Sequence, residues 1–432
     1  MKMANMDDYF DVVIVGTGAA GLYCALNLPA RYRILLLTKQ KADESDSFLA
    51  QGGICMQHGE ADYRPFFDDT MRAGHYENNP ATVDLMIRSS NSIIRDLVRR
   101  GVCFARDDHG ALRFTREGAH SRPRILFHED ITGHEITQTL LNEVLRCENI
   151  ELREHTTLLD FFADASACGG VIAAGPDGEP RAIGAGSVVL ACGGIGGLYK
   201  NSTNFPHITG DAIAMALRHD VACEHLDYIQ IHPTTLYSHR KGRRFLISES
   251  VRGEGALLLD KNGNRFTNEL QPRDVVSAAI RAQMEKDGTD HVWEDMRPIG
   301  EAAIREHFPN ILERCEEEGY DPIHEPIPVV PAQHYFMGGI TADLSSRTAL
   351  PRLYACGETC CNGVHGRNRL ASNSLLESLV FAQRAADDIL YGEPPVFTGD
   401  KPDLAPYREQ EPLFAAYRQE VLTAIERSKN HE

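Results

Sequence analysis

Six residues constrain this chain more than any others: Gly16-Thr17-Gly18-Ala19-Ala20-Gly21, a G-x-G-x-x-G loop. Asp11 to Val15 before it reads as a buried strand, Leu22 to Leu28 after it as a helix, and Ile34 to Leu37 as the next strand. Strand, glycine turn, helix and strand form the unit that sets a pyrophosphate on a helix N-terminus. Gly16 permits the tight turn, Gly18 lets phosphate approach the backbone, and Gly21 lets helix and strand pack closely. Such loops are common alone; the flanking strand and helix give this one its weight. The second strand ends Leu37-Thr38-Lys39, where an acidic ribose ligand is usual. Simple NAD binding is therefore disfavoured, and the Thr38 hydroxyl or the backbone is left to meet a ribose.

At 432 residues the chain exceeds one ordinary core. A second buried strand, Ser187 to Ala191, ends in CGGIGG, and a third, Leu353 to Ala355, ends in CGE. Helical periodicity follows in ASNSLLESLVFAQRAADDIL. Glycine-ended strands on either side of a long segment imply one domain interrupted by another. The expected fold is α/β: a Rossmann-like domain of residues 1–226 and 336–392, interrupted by an α+β capping domain at 227–335. A short tail, 393–432, is expected to be helical from Leu413 to Arg427.

The net charge of −18 opposes any non-specific grip on nucleic acid or anionic membrane. The start, MKMANMDDYF, lacks the features of a signal peptide, and no run of about 18 apolar residues exists to span a bilayer. Eleven scattered cysteines without a C-x-x-C pair read as reduced thiols rather than metal ligands. A cytoplasmic protein without a metal is expected.

Further words occur in order: ESDSFLAQGGI, ACGGIGGLY, TGDAIAMA and CGETCCNGVHGRNRLASNSLLE. With them the chain resembles, over residues 9 to 392, the flavoproteins of the succinate dehydrogenase, fumarate reductase and L-aspartate oxidase superfamily. The resemblance implies FAD. It places the cofactor on Gly16, Gly18, Ala19, Ala20 and Gly21, on Thr38 and Lys39, and on Ser45, Ser47, Ala50, Gln51, Gly52 and Gly53. It also implies Asp211 and Glu358 at the ribose or ribityl regions, with Ser374 and Leu375 beside the isoalloxazine. Membrane-complex members carry a flavin-linking histidine in S-H-T-x-x-A-x-G-G. Asp46 stands there in this chain, so non-covalent FAD is implied.

Polar residues suited to a dicarboxylate lie in IQIHPTTL, FLISESVRGEG, QPRDVVSAAI, VVPAQHYFMGG and RNRLASNSL. Carboxylates leaving water need fixed donors, which Arg and His forks supply. By resemblance His232, Ser248, His334 and Arg369 clamp the two carboxylates, and Arg273 holds the proton-shuttle position. A free guanidinium keeps its proton to above about pH 12, so the shuttle needs a relay. The resemblance supplies one in Glu249 and Arg252, whose E-x-x-R spacing places them on one helix face.

The segment TREGAHSRPRIL looks like the R-E-G-G-H-S word of L-aspartate oxidases, in which the glutamate, here Glu117, faces the substrate amino group. A buried ammonium needs such a negative partner, and succinate does not. Ala119 replaces the usual glycine, and Ser248 the usual threonine. The implied reaction is oxidation of L-aspartate to iminoaspartate, with oxygen (giving peroxide) or fumarate reoxidising the flavin. It would open NAD biosynthesis and hand its product to quinolinate synthase. Family members commonly continue into a three-helix C-terminal domain, so a shortened one is expected after Gly392. Three rivals stand beside this reading. A soluble fumarate reductase or succinate-oxidising enzyme would not need Glu117. A flavoprotein subunit of an electron-transfer complex predicts the linking histidine, and a non-catalytic flavin sensor needs no Arg273 relay.

Overall fold

The computed structural model describes residues 8–240, 242–392 and 395–430. Most of the MKMANMDDYF start and the boundary drawn at 393 therefore lie outside the described residues. The first unit forms as β1 (Tyr9–Val15), α1 (Ala19–Asn27) and β2 (Ile34–Leu37). The helix begins three residues before the expected Leu22. Gly18 is extended (φ −71°, ψ 176°) and serves as its N-cap, so the loop's own alanines make the first turn.

β2 pairs in parallel with β3 (Ile150–Arg153) on its far side. An antiparallel run of β4 (Thr157–Ala163), β5 (Cys168–Ala174) and β6 (Pro180–Leu190) follows. The end of β6 pairs in parallel with both β1 and the strand Leu353–Ala355, which completes a seven-stranded mixed sheet. The sequence pattern locates only the end of β6. Its first half, Pro180 to Gly184, pairs with β5 and lacks a long apolar run.

A second, antiparallel sheet is built from β7 (Ile229–Leu236), β8 (Leu257–Leu259), β9 (Val292–Asp295) and β10 (Ile327–Phe336), in the order β7-β10-β9-β8. The proline-rich EPIPVVP runs into β10, an interior strand. The β7–β10 register shifts next to His232, a bulge of the kind that re-aims side chains.

Five more helices matter here: α2 (Asp211–Arg218), α3 (Glu249–Gly253), α4 (Arg273–Asp287), α5 (Asn373–Tyr391) and α6 (Gln410–Lys429). α1 and α5 pack together over one face of the large sheet, with the helices Pro80–Arg100 and Thr132–Val144. α2 and α6 cover the other face. α6 is longer than the expected Leu413–Arg427 and buries Tyr417, Val421 and Ile425; the Tyr417 hydroxyl donates to Leu159 O at 2.7 Å. These three side chains of α6 join the core on that face of the large sheet. None of the eleven cysteines is bonded to another, and Cys103 alone is exposed. Among the described residues no helix is long and apolar enough to cross a membrane.

Candidate active site

The carboxyl ends of β1, β2 and β6 open into one cavity that continues beneath the second sheet. Ligands in open α/β sheets bind at such strand ends. Gly16 makes the first bend at φ 111°, and a Cβ there would lie 2.0 Å from Ala191 O. A Cβ on Gly21 would lie 1.9 Å from Gly16 O, so Gly21 packs the helix against the strand and is not on the cavity wall. No side chain caps α1 through Gly18, and Ala19 N donates to Ser47 Oγ at 3.0 Å. The other leading N–H groups of α1 are left for an anion.

Of the residues expected to meet the cofactor, all but Ala19 and Gly21 line this cavity. Buried polar atoms with no protein partner face it: Ser45 Oγ, Asp46 Oδ2 and Gln51 Oε1. This uncapped helix and these open donors and acceptors suit a large polar cofactor. Lys39 Nζ donates to Asp211 Oδ2 at 2.7 Å, so the two side chains neutralise each other. Asp46 accepts from Phe205 N at 2.9 Å; burial raises its carboxyl to about 7 despite that bond and nearby Arg243. Burial likewise drives Glu358, which accepts from Phe336 N at 2.9 Å, well above the usual carboxylate range.

At the far end, six of the expected substrate and catalytic groups share the wall with Glu117: His232, Ser248, Glu249, Arg273, His334 and Arg369. Glu249 opens α3, and Ser248 caps that helix by accepting from Ser250 N at 3.2 Å. Arg273 opens α4 and donates through Nε to Glu249 Oε2 at 2.5 Å. Arg252 lies behind the wall, one turn along α3, with Nη2 3.7 Å from the same oxygen. Glu249 and Arg252 share a face of α3, and with Arg273 from α4 the three form one buried line. Burial raises the Glu249 carboxyl, but Arg273 and Arg252 outweigh it and hold it below the usual range.

Glu117 is buried, with Oε1 accepting from Ser250 Oγ at 2.9 Å and Oε2 from Ser372 Oγ at 2.6 Å. Burial and the neighbouring Glu249 charge raise its carboxyl, against Ser372 and Arg273. The glycine word AQGG has a local reason here. A Cβ on Gly52 would come within 2.0 Å of Glu117 Oε1. Ala119 sits at φ 64°, a left-handed conformation that glycine takes more readily.

His232 and His334 meet edge-on, ring centroids 5.1 Å apart. Burial first, then Arg273, pushes both well below 6.5, so they are neutral. His334 Nδ1 lies 2.8 Å from Thr203 Oγ1, and His232 Nε2 has no protein partner. Arg369 stacks on Tyr335 at 4.4 Å and donates to Ser374 Oγ at 3.0 Å; burial and Arg273 lower it to about 10. Its Nε, too, is buried without a partner.

Sequence reasoning missed Gln230, whose Oε1 accepts from Arg273 Nη1 at 2.9 Å and whose Nε2 donates to Arg369 O at 2.8 Å. Its i, i+2 spacing from His232 on one strand was the available signal. Ser250 and Ser372, which hold Glu117, and Thr203, which orients His334, carried no signal. Among the described residues no group of three His, Cys, Asp or Glu is placed to hold a metal ion.

The FAD binding domain family matches residues 11–375. An L-aspartate oxidase of Clostridium perfringens is 48% identical over 88% of this chain and 86% of its own length. The chain belongs to the L-aspartate oxidase family. The L-aspartate oxidase of a Nostoc species is 44% identical over 98% of this chain and 76% of its own. Among solved structures, a quinol–fumarate reductase with menaquinol superposes at a TM-score of 0.84 with 32% identity, covering 95% of this chain and 75% of that one. The α/β fold expected from the glycine loop is the fold of this family, and its cofactor is FAD.

Proposed function

We propose that this L-aspartate oxidase family member oxidises L-aspartate to iminoaspartate with FAD. The observation that carries this is Glu117: a buried carboxylate in the same cavity as Arg273, Arg369 and two neutral histidines. When bound, FAD supplies the two-electron acceptor for the substrate's Cα–H bond. His232, Ser248, His334 and Arg369 receive the two carboxylates. In the tautomer that accepts the Thr203 hydroxyl at Nδ1, His334 carries its proton on Nε2, a neutral donor that needs no counter-charge. His232 Nδ1 lies 3.0 Å from Thr234 O and 3.2 Å from Thr234 N; in the tautomer that accepts the latter, its unpartnered Nε2 does the same. Glu117 receives the ammonium, which offsets its burial. Arg273 takes a Cβ proton, which leaves the product as its enamine tautomer, and Glu249 with Arg252 carries that proton away; return of a proton to Cβ, with loss of one from nitrogen, gives iminoaspartate.

The residues that would hold the cofactor are Gly16, Gly18 and Ala20 of the glycine loop, Thr38, Lys39, Ser45, Ser47, Ala50–Gly53, Asp211, Glu358, Ser374 and Leu375, while Ala19 and Gly21 would shape the loop from behind the wall. This reading keeps the division into a FAD-binding domain (1–226, 336–392), a cap (227–335) and a tail (393–432). Support for the cap comes from β7 to β10, which form a sheet of their own. Oxygen or fumarate reoxidises the flavin; fumarate presents the same two carboxylates to the same clamp. The imine product is prone to hydrolysis, which favours its prompt consumption by quinolinate synthase and makes the oxidation the first step of NAD biosynthesis.

The deciding experiment is peroxide formation by the purified protein with L-aspartate, D-aspartate and succinate side by side. Activity with L-aspartate is expected; oxidation of succinate alone would favour the succinate-oxidising alternative. Asp46, a carboxylate at the position of the linking histidine, supports non-covalent FAD. Acid precipitation should leave the yellow colour in the supernatant, and flavin retained on the pellet would contradict it.

A further inference from the structure

The turn that carries Glu117 ends in a histidine with no part in the chemistry above. His120 is buried, and its two ring nitrogens are both engaged. Nδ1 lies 2.8 Å from Arg124 Nη1, and Nε2 lies 3.0 Å from Ala371 O. A guanidinium only donates, so Nδ1 must accept, and the single ring proton sits on Nε2, donating to Ala371 O. The arginine is itself fixed. Fully buried, it donates to Asp62 through Nε (3.1 Å) and Nη2 (3.0 Å), and to Asp69 through Nη1 (2.8 Å). Ser121 N and Oγ complete Asp69 Oδ2 at 2.7 and 2.6 Å.

Ala371 immediately precedes Ser372, whose hydroxyl donates to Glu117 Oε2. His120 N in turn donates to Glu117 O at 3.3 Å, closing the turn. Two cross-links therefore join the turn Glu117–His120 to the dipeptide Ala371–Ser372: carboxylate to hydroxyl, and imidazole to carbonyl. Ser372 is left-handed at φ 60°, so its hydroxyl direction depends on what holds that backbone. We propose that His120 is a positioning residue for substrate selection, holding Ala371–Ser372 so that the Ser372 hydroxyl fixes Glu117 towards the substrate's amino group. Burial, and then Arg124, lower His120 to about 4, so the tether keeps one tautomer across neutral pH.

This proposal rests on Glu117 recognising an ammonium, and its test separates the two ideas. Dissociation constants for L-aspartate and succinate are read from flavin absorbance in the parent, His120→Ala, His120→Gln and Glu117→Gln holoenzymes, with FAD content and melting midpoint recorded. His120→Ala is expected to weaken aspartate about tenfold, the scale of a lost bond to a charged group, while succinate changes by no more than about twofold. His120→Gln, whose amide can both donate to Ala371 O and accept from Arg124, should recover most of the loss. In the Glu117→Gln background, His120→Ala should add nothing to the discrimination. Equal weakening of both ligands, or additive effects in the double variant, would overturn the proposal. An unchanged aspartate-to-succinate ratio in Glu117→Gln alone would instead remove the reading of Glu117, and the proposal with it.

Discussion

Replacing Arg273 by leucine is expected to lower kcat with L-aspartate by about a thousandfold while FAD stays bound. The size follows from losing a positioned proton-transfer group, typically worth about 10² to 10⁴. Arg273 does not act alone, because its Nε is bonded to Glu249 and its Nη1 to Gln230. Leucine would leave Glu249 with only the longer approach of Arg252 at 3.7 Å. Burial, the largest influence on Glu249, would then go less opposed, and the carboxyl would take up a proton at higher pH. Arg273→Lys keeps a cation beside Glu249 but loses the fork, so it should recover the charge state and little of the rate. The measurement is single-turnover flavin bleaching with aspartate, alongside the flavin spectrum. Bleaching within about tenfold of the parent would take Arg273 out of proton transfer.

Glu117→Gln is expected to lower aspartate oxidation about a hundredfold and fumarate reduction no more than about threefold. Glutamine keeps the shape and stays in reach of Ser250 and Ser372, but it brings no charge to an ammonium. Fumarate has no amino group, so its carboxylates meet Arg369 and the histidines as before. The change also removes the negative charge that opposes Glu249. Steady-state rates in both directions with one preparation would check it, and equal losses would deny Glu117 its selectivity.

What the chain shows by pattern alone divides along physical lines. The glycine loop and β2 were legible because an apolar run buried on both faces and a glycine-bounded helix have one local solution. Glu249, Arg252 and Arg273 stood out through their sequence words; helix spacing accounts for Glu249 beside Arg252, while Arg273 reaches Glu249 from another helix, 24 positions away. The first half of β6 was not legible, because its burial depends on β5 rather than on its own composition. Nor were Ser250 and Ser372. They reach Glu117 across 133 and 255 positions, and a lone serine gives no hint of such a partner. The same holds for Thr203 beside His334, 131 positions away. Ala119 stands where the family word has glycine, and the structure gives that change a backbone setting, since its φ is positive.

The burial of the cysteines bears on how such a protein outlasts its own reaction. Where oxygen takes the electrons, peroxide is released inside a cavity whose wall includes Cys192 and Cys356. Peroxide attacks thiolates, not thiols. Burial raises Cys192 to about 12 and Cys356 well above its ordinary value, so at neutral pH both present the unreactive protonated form. Cys103, the one exposed thiol, does not line that cavity. Sulfur chemistry is thus kept dormant at the place where the oxidant is made.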